Sequence, residues 1–98
     1  MERDPRYSAI KPLISAGGIT SFRDIFKFLP KSIIARDLGM NNVRFTKLMN
    51  NVDDFMIRDI LRLAEFFEID ALTMYSLINQ QYIEDKAKKK ATKLNNSQ

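Results

Sequence analysis

An all-α domain is the fold class this sequence predicts, on three observations. Apolar residues repeat at i, i+3, i+4 and i+7 in successive stretches, the period of helices with one buried face. Residues that start helices (Ser21, Asn41, Asp70) or stop them (Pro30, Gly39) stand at the joints between those stretches. A composition 45% hydrophobic and 29% charged suits a globular chain rather than a disordered one. At 98 residues the expectation is one compact domain of five helices with one modest core. It would occupy residues 19–83, between an arm over 1–18 and a basic, fraying tail over 84–98.

Taken in order, the lead contains Pro5, Pro12 and the Gly17-Gly18 pair. These breakers predict an extended or partly ordered arm. Its Tyr7, Ile10, Leu13 and Ile14 could pack on the domain or on a second subunit. The first helix is expected from Ser21, which with Asp24 has the spacing of a capping box. Phe22, Ile25, Phe26 and Leu29 then form a buried stripe. The same spacing assigns the aromatics of FRDIFKF to the core rather than to stacking on bases. Pro30 ends this helix or opens the next, because the first helical position needs no N–H.

Residues 31–51, KSIIARDLGMNNVRFTKLMNN, predict two short helices around a tight turn. Ile33, Ile34, Ala35 and Leu38 share one face before it; Phe45, Leu48 and Met49 share one after it. Gly39 stands where the first helix must stop, since glycine enters the left-handed conformation without steric cost. Asn41 is placed to cap the second helix. That helix turns outward a compact, basic face with no acid: Asn42, Val43, Arg44, Lys47 and Asn50. Residues 50–54 predict a turn, with Asp53 or Asp54 capping the next helix and Phe55 packed beneath. That central helix is expected over 56–68, with Ile57, Ile60, Leu61, Ala64 and Phe67 buried, Leu63 and Phe66 beside them, and Asp59, Arg62, Glu65 and Glu68 solvated. The last helix starts at Ala71 after Asp70. It carries Leu72, Tyr75, Ile78 and Tyr82 on one face, with Met74, Leu77 and Ile83 adjacent. An apolar face that wide either packs wholly within the monomer or leaves an association surface at Tyr75, Ile78 and Tyr82.

Charge is segregated along the chain. Residues 31–52 have four basic and one acidic residue, residues 53–85 two basic and eight acidic, and residues 86–98 five lysines and no acid. This field suits docking on a polyanion with the acidic helices turned away. The absence of cysteine and histidine removes thiolate and imidazole chemistry together. With no nucleophile–base pair, metal cluster or Gly-rich phosphate loop, neither an enzyme nor a cofactor is expected. No apolar run approaches the ~20 residues that span a bilayer. The N-terminus lacks the apolar core of a signal peptide, so a cytoplasmic protein is expected.

The residues from Ser21 to Leu77 resemble the lambda-repressor-like (XRE) family of helix-turn-helix DNA-binding domains. The resemblance rests on Ala35, Leu38, Gly39 and Met40 around the turn, and on the buried pair Phe45 and Leu48. It extends to the apolar pattern of Ile57, Ile60, Leu61, Leu63, Ala64 and Phe67. Two positions depart from the pattern: Lys31 stands where the family often has a phosphate-binding glutamine, and Asn51 where it usually has glycine. The resemblance implies that Asn42, Val43 and Lys47 face base edges, with Arg44 on base or phosphate. Lys31, Asn41 and Asn50 would hold phosphates. The Thr46 hydroxyl could reach a phosphate or bond back to its own helix. These residue types suit base reading, since asparagine pairs bidentately with adenine, lysine and arginine donate to guanine, and valine meets a thymine methyl. Arg3, Arg6 and Lys11 could follow a groove, and the tail lysines add attraction that falls with salt.

The expected function is therefore sequence-specific binding of double-stranded DNA by a small transcriptional regulator, as a homodimer on a palindrome. The alternative is a protein-interaction module on the same fold, its motif no longer reading DNA and its last helix binding a partner chain. The Asp53-Asp54 pair beside the reading helix favours that alternative; the acid-free face favours DNA.

Overall fold

Among the described residues all regular structure is helical, and the buried faces of the helices pack into one core. The computed structural model describes residues 4–96, with the side chains of 4–90. The described residues form five α-helices: α1 (Arg6–Ser15), α2 (Lys31–Leu38), α3 (Asn42–Asn50), α4 (Ile57–Phe67) and α5 (Ala71–Asn96). A 3-10 segment (Phe22–Lys27) precedes α2, and a 3-10 turn (Val52–Asp54) follows α3. No strand occurs among the described residues. α5 packs on α4, on the 3-10 segment and on the 3-10 turn; α1 packs on α4, and α2 on both α3 and α4. Among the described residues, no helix is long and apolar enough to cross a membrane.

The expected arm is a helix instead. Tyr7 and Ile10 are buried in the core, with Leu13 and Ile14 packed against it. Asp4 starts the helix, its carboxylate accepting the Arg6 backbone N–H at 2.9 Å and the Arg6 guanidinium at 2.8 Å. The Arg6 side-chain bond foremost, then the backbone bond, holds the Asp4 carboxyl down at about 2. Pro12 removes one internal hydrogen bond, a cost the buried face outweighs. Gly17, at φ 80°, then turns the chain. Arg3 lies outside the described residues.

The helix expected from Ser21 is a 3-10 segment, although its stripe is buried as predicted at Phe22, Ile25 and Leu29. Asp24 supplies the carboxylate half of the expected box, accepting the N–H groups of Thr20 at 3.0 Å and Ser21 at 3.2 Å. Those backbone bonds, Thr20 first, hold its pKa below the ordinary value.

α4 is rotated from the expected orientation. Ile57 is 78% exposed and Leu61 53%, while Leu63, Ala64, Phe66 and Phe67 are buried. The reason is α1: Tyr7 lies 5.0 Å from Phe67 and 5.5 Å from Phe66 between ring centroids, claiming that face. Asp59, expected in solvent, is buried, and its carboxylate caps the helix by accepting the Met56 N–H at 3.1 Å. The cap is therefore neither Asp53 nor Asp54. Glu68 ends the helix at φ 55°, a left-handed conformation that costs a non-glycine residue ~1 kcal/mol.

α5 is turned in the same way. Met74, Leu77, Ile78 and Gln81 are buried, while Leu72 is 77% exposed. Its helical backbone continues through the region expected to fray, to Asn96. Lysines and alanines are good helix formers, and the packed first half supplies the nucleus from which they propagate.

One part-buried hydrogen bond ties α1 into this assembly. The Tyr7 hydroxyl donates to Asp37 Oδ2 at 2.8 Å, linking α1 to α2. Burial foremost, then the bond to a carboxylate, pushes the phenol above its ordinary pKa. Folding raises this pKa, so its stabilisation is fully present below the unfolded value near ~10 and lost as pH rises through the folded one. Tyr7→Phe should cost about 1–2 kcal/mol near neutrality, and that difference should shrink above about pH 10. Denaturant melts of both proteins across that range check it; a constant difference would contradict the linkage.

Candidate nucleic-acid interface

The α2–α3 pair is built by local chemistry at its joint. Gly39, at φ 77°, places its N–H on Arg36 O at 3.0 Å and that of Met40 on Ala35 O at 2.9 Å. These two bonds are the Schellman arrangement that closes a helix C-terminus. The chain then extends to Asn41, whose side-chain oxygen accepts the Arg44 N–H at 2.8 Å and caps α3. Arg62 of α4 locks the joint from outside. Its guanidinium donates to the carbonyls of Leu38 and Asp37, both at 2.9 Å, satisfying groups that a helix end leaves unpaired.

The inner face of α3 is held by aromatic packing. Phe45 is fully buried, with Phe26 at 5.9 Å and Phe55 at 6.4 Å between centroids. Phe22 completes the cluster, 5.4 Å from Phe26 and 5.6 Å from Phe55, each pair edge to face. At the far end, Gln81 Nε2 of α5 donates to Met49 O at 2.8 Å. Asn51 Nδ2 donates to Lys47 O at 3.3 Å. Asn51 itself lies at φ −142°, so it is not left-handed and needs no glycine.

With that face anchored, Asn42, Val43, Arg44, Thr46, Lys47 and Asn50 are all exposed, and Val43 stands out at 67%. Asn41 is exposed as well, but its oxygen is committed to the cap, leaving its NH2 to reach outward. Thr46 makes no side-chain bond back to its helix among the described residues. Neither Arg44 nor Lys47 pairs with a carboxylate among the described residues. Lys31 opens α2, its ammonium 6.0 Å from the Phe26 ring centroid. Asp53 and Asp54 are exposed just beyond α3.

The three residues expected to form an association surface line one open groove together but differ in exposure. Ile78 belongs to the core, Tyr82 is partly buried, and Tyr75 is exposed. Among the described residues, the large apolar side chains that do face solvent on these helices are Ile57, Leu61, Leu72, Tyr75 and Ile83, because α4 and α5 are both rotated from the expected register. Sequence reasoning missed three positioning residues, Arg62, Asp59 and Gln81. It also missed that Lys86 and Lys89 of α5 share a cleft with Asn50 and Asn51. Periodicity carried the last signal: Lys86 and Lys89 continue the Tyr82 face at i+4 and i+7.

Comparison with protein-family models, curated proteins and solved structures returns no match for this chain.

Arg62 makes a prediction about this site. Arg62→Ala should lower stability by about 2 kcal/mol and speed hydrogen exchange at Gly39 and Met40 more than at the core of α4. Exchange monitored residue by residue checks it; a uniform change would mean that Arg62 does not lock the joint.

Proposed function

We propose that this protein binds double-stranded DNA, reading the major groove with the exposed face of α3, and acts as a small transcriptional regulator. The observation that carries this reading is one exposed helical face of asparagine, valine, arginine and lysine, with no acid among its residues and its inner side fixed in the core. Base recognition needs side chains that are rigidly carried yet free of other partners, and among the described residues Arg44 and Lys47 meet both conditions. The resemblance to lambda-repressor-like helix-turn-helix domains points the same way, with α2 and α3 as the motif. Asn42, Val43 and Lys47 would face base edges, Arg44 base or phosphate, and Lys31, Asn41, Thr46 and Asn50 phosphates. A palindromic site would require two copies with α3 helices ~34 Å apart, one turn of B-DNA.

A second reading, a protein-interaction module on the same fold, draws on the exposed Ile57, Leu61, Leu72 and Tyr75. The two readings differ over α3. Arg44→Ala/Lys47→Ala should weaken duplex binding by ~1–3 kcal/mol for each lost base contact. Stability should change by no more than about 0.5 kcal/mol, because both side chains are exposed. Titration of labelled duplex with both proteins, beside thermal melts, measures the two effects. Unchanged affinity would remove α3 as the reading element.

A further inference from the structure

The lysine-bearing half of α5 meets the end of α3. An open cleft of about 170 Å³ is lined by Asn50 and Asn51 from the end of α3, by Val52 and Asp53 after it, and by Tyr82, Asp85, Lys86 and Lys89 from α5. Asn50 is also the last exposed residue of the face assigned above to DNA. The cleft therefore continues that face beyond the helix.

We propose that this cleft is a phosphate-binding site for the DNA backbone, in which Lys86 and Lys89 grip the strand leaving the end of α3. The inference rests on the DNA-binding reading and gives it a second anchor point. Two lysines meet two acids there, but one acid is already engaged: Asp85 forms an ion pair with Arg23, whose Nε also lies 3.6 Å from Glu84. Asp53 alone opposes the lysines. Lys86 is held in place, its ammonium 5.3 Å from the Tyr82 ring centroid. Gln81, earlier on the same helix, is buried and bonded to Met49 O, which fixes the register of α5 against α3. The C-terminal carbonyls of α3, which would repel a phosphate, are partly covered by that bond and by Asn51 Nδ2 on Lys47 O. Lys86 and Lys89 thus differ from a solvated lysine run, because the core determines where they point. Lys88 lies ~100° around the helix from Lys89, on another face.

Neighbouring lysines give the test. Lys88→Ala and Lys89→Ala remove the same charge from adjacent residues of one helix. Binding to random-sequence duplex DNA is titrated over a salt series with wild type, both variants, Lys86→Ala/Lys89→Ala and Lys89→Arg. Loss of one phosphate contact should reduce the slope of log affinity against log salt by ~0.9 in Lys89→Ala. Affinity at moderate salt should fall roughly fivefold, with about twice the slope change in the double variant. Lys88→Ala should lose less than about twofold, and Lys89→Arg should retain wild-type binding. Equal losses in Lys88→Ala and Lys89→Ala, with wild type binding DNA, would overturn the cleft and leave the DNA-binding reading standing. Failure of wild type to bind duplex at any salt would overturn both.

Discussion

The burial of Phe45 is the constraint on which the rest depends. α3 has nine residues, too few to hold a helix in water by itself. It persists because its inner face enters a cluster of four phenylalanines drawn from the 3-10 segment, α3 itself and the chain before α4. Burying one such side chain contributes about 1.5–3 kcal/mol, with a further ~0.5–1.5 kcal/mol for an edge-to-face pair. Against a net stability of ~5–15 kcal/mol for a domain, that contribution decides whether the helix stands. It also decides which way Arg44 and Lys47 point, since a helix pinned on one side has one outward face.

The polar connections around this cluster restrict the same helix at both ends. Asn41 caps its start, Gln81 and Asn51 satisfy carbonyls of its last turn, and Arg62 closes the helix before it. None of these is a strong interaction alone, at about 1 kcal/mol net for a neutral hydrogen bond and more where a charge takes part. Together they remove the rotations that the aromatic cluster would still permit. The basic end of α5 is carried by the same framework, so its charge is placed as well as present.

Local chemistry was legible in the sequence and tertiary choice was not. Gly39 and Asn41 stand where a stop and a start were expected, because the need for positive φ and for an N-cap acceptor is decided within a few residues. The face buried by α4 could not be read that way. Its residues Ile57, Ile60, Leu61, Leu63, Ala64, Phe66 and Phe67 allow two overlapping apolar stripes. The choice between them is made by Tyr7, in a segment whose prolines and glycines concealed a helix. Missing α1 thus misplaced α4, and the exposed apolar residues with it. The outward residues of α3 were legible because Phe45, Leu48 and Met49 on a short helix leave only one other side. Lys86 and Lys89 were hidden by the expectation that the helix frays before reaching them.

Sequence selection measures the central claim most directly. Random duplexes are offered at the salt concentration where binding to any duplex has nearly vanished, and the retained sequences are read. A face that recognises base edges predicts one enriched sequence, with half-sites about 34 Å apart if two copies bind together. Loss of all binding near physiological salt, with nothing enriched, would contradict base reading by α3 and leave only attraction between lysines and phosphate.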